Sequence, residues 1–249
     1  MDELLRGASY LPRALRLLPS PRLAGFVLVP LLVNVALFAG AVWWLYAQAG
    51  AWSEALGATL PGWLQWLTAL LVPVLLLLAG VATLFTFTMV ANFIGAPFNG
   101  VLAERVMQLQ GHEVPALTRR SWWAEALLAL SGEVRKLLWF VALALPFVLL
   151  FFVPVLNAAA PFAWLAFTAW MLAAEYVDYP LGAFGLGFVD QRRWLSVRRP
   201  VALGFGAATL AMTMIPVVNF LVMPTAVIGA TLLALDEQAT GVSSGPAFR

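Results

Sequence analysis

The runs LAGFVLVPLLVNVALFAGAVWWLYA (residues 23–47) and WLQWLTALLVPVLLLLAGVATLFTFTM (residues 63–89) contain no Asp, Glu, Lys or Arg. Between Arg22 and Glu104 the one charged side chain is Glu54. A water-facing surface of that extent needs charge to stay dissolved. The solvent of this stretch is therefore lipid, and each run is long enough to cross it as a helix, which takes about 20 apolar residues.

The rest of the chain agrees. Of 249 residues, 63% are hydrophobic and 10% charged, a composition of the membrane class. The 11 Trp and 17 Phe suit interfacial belts, and the 16 Pro suit interrupted membrane helices. With no Cys, disulfides, thiolate catalysis and Cys-ligated metals are excluded. The single His, His112, reads as an exposed loop residue, so no metal or other cofactor is expected. The basic residues cluster at Arg6, Arg13, Arg16 and Arg22, then at Arg105, Arg119, Arg120, Arg135 and Lys136. A third cluster holds Arg192, Arg193, Arg198 and Arg199. Because the clusters flank apolar segments, they mark the cytoplasmic side rather than a nucleic-acid surface.

Along the chain, residues 1–18 read as an amphipathic helix lying at the membrane interface, with Leu4, Leu5, Ala8, Leu11, Leu15 and Leu18 on one stripe. Pro19-Ser20-Pro21 breaks it, with Ser20 placed to cap the next helix and Pro21 to open it. Residues 23–47 form the first span. Ala47-Gln48-Ala49 looks like a signal-peptide cleavage site, but the apolar core before it exceeds the usual limit of about 15 residues, so the span is expected to stay uncleaved. The loop 48–62 has no Lys or Arg and is ringed by Trp43, Trp44, Trp52, Trp63 and Trp66, which puts it outside. Residues 63–89 return the chain, 92–136 form a cytoplasmic helical segment, and 236–249 are a polar tail.

The second half contains an internal repeat. Residues 137–174 carry two apolar arms around Val153-Pro154-Val155-Leu156-Asn157. Residues 201–235 carry two more around Ile215-Pro216-Val217-Val218-Asn219. Three of the four apolar arms fall short of a span, so each pair is expected to be a re-entrant hairpin, with four short full spans as the alternative. The expected fold is an all-α integral membrane protein: two transmembrane helices, two hemi-penetrating hairpins, an N-terminal amphipathic helix and a helical cytoplasmic segment. Both termini are expected in the cytoplasm.

Catalytic signatures are missing. There is neither a Walker A sequence nor a His-Glu-x-x-His motif. Gly241-Val242-Ser243-Ser244-Gly245 matches a nucleophile-elbow pattern but lies in a polar tail with no strand before it. The chain is not expected to be an enzyme. Its most distinctive local sequence is Ala91-Asn92-Phe93-Ile94-Gly95-Ala96-Pro97-Phe98-Asn99-Gly100, followed by Leu102-Ala103-Glu104-Arg105. It reads as a helix break at a membrane boundary with amides and a carboxylate beside it.

With that motif, the chain resembles the CysZ family of bacterial inner-membrane sulfate permeases. Pro30-Leu31-Leu32-Val33-Asn34, Trp63-Leu64-Gln65-Trp66-Leu67 and Ala169-Trp170-Met171-Leu172 carry the resemblance further. So do Tyr176-Val177-Asp178-Tyr179-Pro180, Phe205-Gly206, Met214-Ile215-Pro216, Asn219, Met223-Pro224 and Gly229-Ala230-Thr231. Order and spacing agree from about Leu17 to Leu235. The resemblance implies sulfate uptake for cysteine biosynthesis, a homo-oligomer and hemi-penetrating helix pairs. Family members have Gly-Leu-Arg-Arg-Phe where the first membrane helix begins, a turn associated with sulfate. Here the run is Arg22-Leu23-Ala24-Gly25-Phe26, with Ala24 and Gly25 at the two Arg positions.

Sulfate is a dianion with four acceptor oxygens. A helix N-terminus offers N–H donors and partial positive charge, and Arg adds charge-assisted bonds. The expected binding turn is the N–H groups of Arg22, Leu23 and Ala24 with the Arg22 side chain; the duller alternative is that Arg22 anchors the helix at lipid headgroups. Asn92, Asn99, Asn157 and Asn219 are the expected neutral groups of a transport path, or else caps of broken helices. Glu104 and Arg105 are placed at its inner mouth. The partners expected are sulfate, the lipid bilayer and further copies of the chain. A non-transporting oligomeric scaffold or partner-binding protein is the alternative function.

Overall fold

The computed structural model describes residues 1–113 and 122–239, so the Gly-x-Ser-x-Gly match, most of the polar tail and part of the 92–136 segment lie outside the described residues. The described backbone is helical and contains no strand. In chain order the helices are α1 (Asp2–Leu17), α2 (Pro21–Thr59), α3 (Thr68–Leu109), α4 (Trp122–Leu150), α5 (Ala160–Ala183), α6 (Phe188–Val197), α7 (Arg199–Thr213) and α8 (Pro216–Ala239). Short 3₁₀ turns occupy Gly62–Leu67 and Leu156–Ala158.

The chain divides into two units. One is Leu28–Phe98, most of α2 and α3. None of its described side chains is buried. Leu32 is 64% exposed, Trp43 72% and Trp63 76%. Apolar surface this continuous has a stable home only in lipid. Within it, Gly62–Thr83 is helical, apolar and 22 residues long, about 33 Å against a hydrocarbon core of about 30 Å. The chain is an all-α membrane protein, as its composition foretold.

Helix ends differ from the apolar runs. α2 continues to Thr59, twelve residues past Ala47, because nothing between Gln48 and Thr59 breaks a helix; it ends where Leu60 precedes Pro61, a position that disfavours the α conformation. The expected break at Ala91–Gly100 is a correction: α3 runs through it to Leu109. One Pro removes one N–H, and the helix beyond it is anchored by Leu102, Ala103 and Val106 in the core. Likewise α4 crosses the expected boundary at Leu137 without interruption.

The other unit comprises residues 1–27 and the chain from 99 onward. Its core is built from Tyr10, Leu23, Leu102, Val177, Phe205 and Ile228, among others. Small residues let the helices touch backbone to backbone. A Cβ at Gly206 would collide with the Ala169 carbonyl, which brings α7 onto α5; one at Gly204 would collide with the Leu4 carbonyl, which brings α7 onto α1. The face α1 buries is Gly7, Tyr10, Leu11 and Ala14, whereas Leu4, Leu5 and Leu15 of the expected stripe stay exposed. Close approach, rather than side-chain hydrophobicity, selects this face. α8 meets the length and composition of a span, yet most of it is enclosed by the protein.

Both Pro-x-x-Asn breaks are real and locally alike. The Asn157 N–H donates to the Val153 carbonyl at 3.0 Å, and the Asn219 N–H donates to the Ile215 carbonyl at 2.8 Å. In each, the acceptor is the residue before the Pro. They differ in extent. Between α4 and α5 the interruption covers residues 151–159 and holds Val155 at φ 71°, a costly value for a β-branched residue. Between α7 and α8 it is only Met214 and Ile215.

Candidate anion path and its ionic supports

α2 opens at Pro21, as expected. However, the Leu23 and Ala24 N–H groups both donate to the Ser20 carbonyl, each at 2.9 Å. The Leu23 side chain is fully buried in the core. Of the expected binding turn, that leaves Arg22, exposed and with no ion-pair partner among the described residues. The Ser20 hydroxyl oxygen beside it is enclosed and has no hydrogen-bond partner among the described residues.

The expected path residues are dispersed. The Asn92 side chain lies outside the described residues. Asn99 is buried, and its Nδ2 donates to the Tyr179 hydroxyl at 3.2 Å, joining α3 to α5. Glu104 is half-buried on the same helix. Arg105 is exposed, with its Nη1 donating to Gln108 Oε1 at 3.2 Å. Asn157 and Asn219 sit exposed at the two breaks. The structure does not gather these groups into one cluster.

Two ionic clusters escaped the sequence reading. In the first, Lys136 Nζ lies 2.8 Å from Glu175 Oε2 and 2.9 Å from Asp178 Oδ2. Glu175 and Asp178 are three apart on α5, so one ammonium from α4 reaches both. Burial alone would lower the Lys136 pKa, but Asp178 and Glu175 outweigh it and hold the amine above its ordinary value, firmly protonated. In the second, Glu237 of α8 sits between Arg198 Nε at 2.8 Å and Arg6 Nη2 at 2.7 Å. Its neighbour Asp236 takes Arg13 Nη1 at 2.7 Å and the Tyr10 hydroxyl at 3.2 Å. Burial first, then the Asp236 charge, pushes the Tyr10 phenol up to about 12. Glu237 and Arg198 are almost wholly buried, and Arg198 also lies over the Trp194 ring at 4.4 Å. A buried charge persists only when paired this way. These clusters tie α4 to α5, and α1 and the α6–α7 link to α8. The sequence signal was faint: carboxylates ending apolar arms, at Glu175 and at Asp236-Glu237.

Residues 10–224 match the family described as "Sulfate transporter CysZ/Etoposide-induced protein 2.4". The chain belongs to this CysZ family. The match runs from the middle of α1 into α8 and so takes in both Pro-x-x-Asn breaks. Similar CysZ relatives include the sulfate transporter CysZ of Pseudomonas fluorescens strain Pf0-1, 40% identical over 94% of both chains. That of Pectobacterium atrosepticum is 37% identical over 95% of this chain and 86% of its own. That of Salmonella typhimurium strain LT2 is 38% identical over 92% of each.

Proposed function

We infer that this CysZ-family chain is a sulfate permease that carries the anion across the bacterial inner membrane. What carries the reading is full-length similarity to proteins named as sulfate transporters, 37–40% identical over nearly the whole of both chains. The role is transport rather than catalysis, and it feeds sulfate assimilation into cysteine.

Physical chemistry sets the terms. A dehydrated dianion in the bilayer would be prohibitively costly, so the route is polar or hydrated. Glu175, Asp178, Asp236 and Glu237 are each paired with a cation, which offsets their repulsion of an anion. Arg22 is an exposed cation at a membrane-helix N-terminus with no ion pair among the described residues, and we assign it sulfate capture, with its own N–H and the local helix charge in support. Asn92, Asn99, Asn157 and Asn219 supply neutral donors along the route, and Glu104 with Arg105 stands at the inner mouth. The basic clusters favour cytoplasmic termini. Of the four arms only α7, with 15 residues and about 22 Å, falls short of a span, whereas α4, α5 and α8 have 29, 24 and 24 residues; the shortness of α7 is what favours a re-entrant α7–α8 pair. Single cysteines at Val155 and Ile215, labelled from either side of the membrane, test this. Re-entrant pairs leave both sites unreactive from the outside, whereas full spans expose them there. A homo-oligomer would complete the enclosure of the breaks.

The direct test is radiolabelled sulfate uptake into proteoliposomes containing only this protein. Saturable uptake, blocked by excess unlabelled sulfate but not by chloride, is expected. Uptake no greater than in empty liposomes would remove the permease reading and leave a membrane scaffold.

A further inference from the structure

A cavity of about 760 Å³ opens between α4, α5, α6 and α7. That volume would suit an organic ligand and far exceeds a single oxyanion. Its lining divides sharply. One part is aromatic and aliphatic: Trp139, Leu143, Phe147, Phe167 and Trp170, with Phe147 and Phe167 stacked at 5.0 Å. The other part is basic: Arg192, Arg193 and Arg199, from α6 and the first residue of α7.

The basic part is unspent. Arg192, Arg193 and Arg199 are exposed, and none forms an ion pair with a described carboxylate. Arg198, next to Arg199 in sequence, is buried against Glu237 instead. The same short segment thus holds one structural arginine and three with free charge. The Arg192 guanidinium lies 4.8 Å from the Trp139 ring and 5.7 Å from the Phe188 ring, which pins a cation at the seam between the apolar and basic walls. Ser196 adds no donor, because its hydroxyl already donates to the Arg193 carbonyl at 2.8 Å.

We propose that this cavity is a binding site for one anionic phospholipid, its phosphodiester headgroup held by Arg193 and Arg199 and its acyl chain laid along the Trp139–Phe147–Phe167–Trp170 wall. A bare oxyanion gains nothing from four aromatic rings. A zwitterionic lipid brings its own cation against three guanidiniums. An anionic amphiphile satisfies both walls, as basic pockets between membrane helices do for acidic headgroups. The site is separate from the sulfate capture assigned to Arg22 and stands whether or not that assignment holds.

The test is lipid binding to the delipidated full-length protein in detergent, followed by native mass spectrometry. The probes are phosphatidylglycerol and phosphatidylcholine with identical acyl chains. The intact protein is expected to prefer phosphatidylglycerol at least tenfold. Arg193→Gln with Arg199→Gln should lower phosphatidylglycerol affinity about twenty- to thirtyfold, from two headgroup charges, with thermal unfolding unchanged. Ala166 lines the cavity and is exposed, so Ala166→Trp fills the groove without entering the core and should weaken both lipids. Millimolar sulfate or glycerol phosphate should not displace the bound lipid. Equal binding of the two lipids would mean unselective annular contact and overturn the proposal. So would displacement by sulfate that depends on the same arginines and ignores Ala166→Trp, which would make the cavity an oxyanion site.

Discussion

Leu28–Phe98 and the unit formed by residues 1–27 and 99 onward solve opposite problems with the same element, the α-helix. The first has one charged residue, Glu54, and no buried described side chain. The second has a buried apolar core and paired charges, beside exposed apolar faces such as Leu137, Leu145 and Phe152. In the first, stability comes from matching a lipid solvent; in the second, from contacts within the protein. The contrast teaches where to look for chemistry. A charge held in a pair is part of the scaffold, whereas an exposed unpaired one such as Arg22 remains available to an anion.

Substitutions in the two regions should therefore fail in different assays. The largest effect is expected at Glu237. Glu237→Ala strands the buried Arg198 guanidinium and should cost about 3–5 kcal/mol, read as a large drop in unfolding temperature in detergent. An unfolding temperature close to the parent's would mean that Arg198 finds water or another partner.

Next is Val74→Arg, near the middle of the exposed apolar window Gly62–Thr83. It touches no core, but a central Arg costs about 2.5–3.5 kcal/mol of membrane insertion. Reduced membrane-integrated protein in an insertion assay is expected, and normal integration would show that this helix does not face lipid. Gly206→Ala comes third. Its methyl group meets the Ala169 backbone, which cannot rotate away as a side chain would, so about 1–3 kcal/mol of stability should be lost. Unfolding unchanged from the parent would place α5 and α7 further apart. The smallest effect is expected at Arg13→Ala, where both members of the pair with Asp236 are over two-fifths exposed; less than about 1 kcal/mol is at stake. A loss as large as that of Glu237→Ala would make this pair a hidden support.

The same contrast explains what the sequence could and could not reveal. The lipid solvent and the all-α class were legible because they depend on composition, and Leu28–Phe98 has little else. Both Pro-x-x-Asn breaks were legible because Pro acts locally. Helix ends were not: the apolar run after Leu23 stops near Ala47, but backbone hydrogen bonding continues to Thr59. An apolar run reports the solvent, not where backbone hydrogen bonding stops. Nor does every Pro end a helix: α3 continues through Pro97 because its far end is held in the core by Leu102, Ala103 and Val106, which the local sequence does not show. The ionic clusters were out of reach because the partners are remote in sequence, Arg6 with Glu237 and Lys136 with Asp178. Among the candidate site residues, Arg22 keeps its free charge, whereas the Leu23 and Ala24 amides are engaged by Ser20, which only the backbone geometry of the turn reveals.

The central claim is that the free cation at the start of α2, and not the paired ones, handles the anion. It is tested by measuring the concentration dependence of sulfate uptake in proteoliposomes for the parent chain, Arg22→Ala and Arg13→Ala. Loss of a charge-assisted contact of about 1.5–3 kcal/mol predicts that Arg22→Ala raises the half-saturating sulfate concentration by roughly tenfold or more, with unfolding temperature unchanged. Arg13→Ala should leave uptake as it was. Identical saturation curves for the parent and Arg22→Ala would contradict the account.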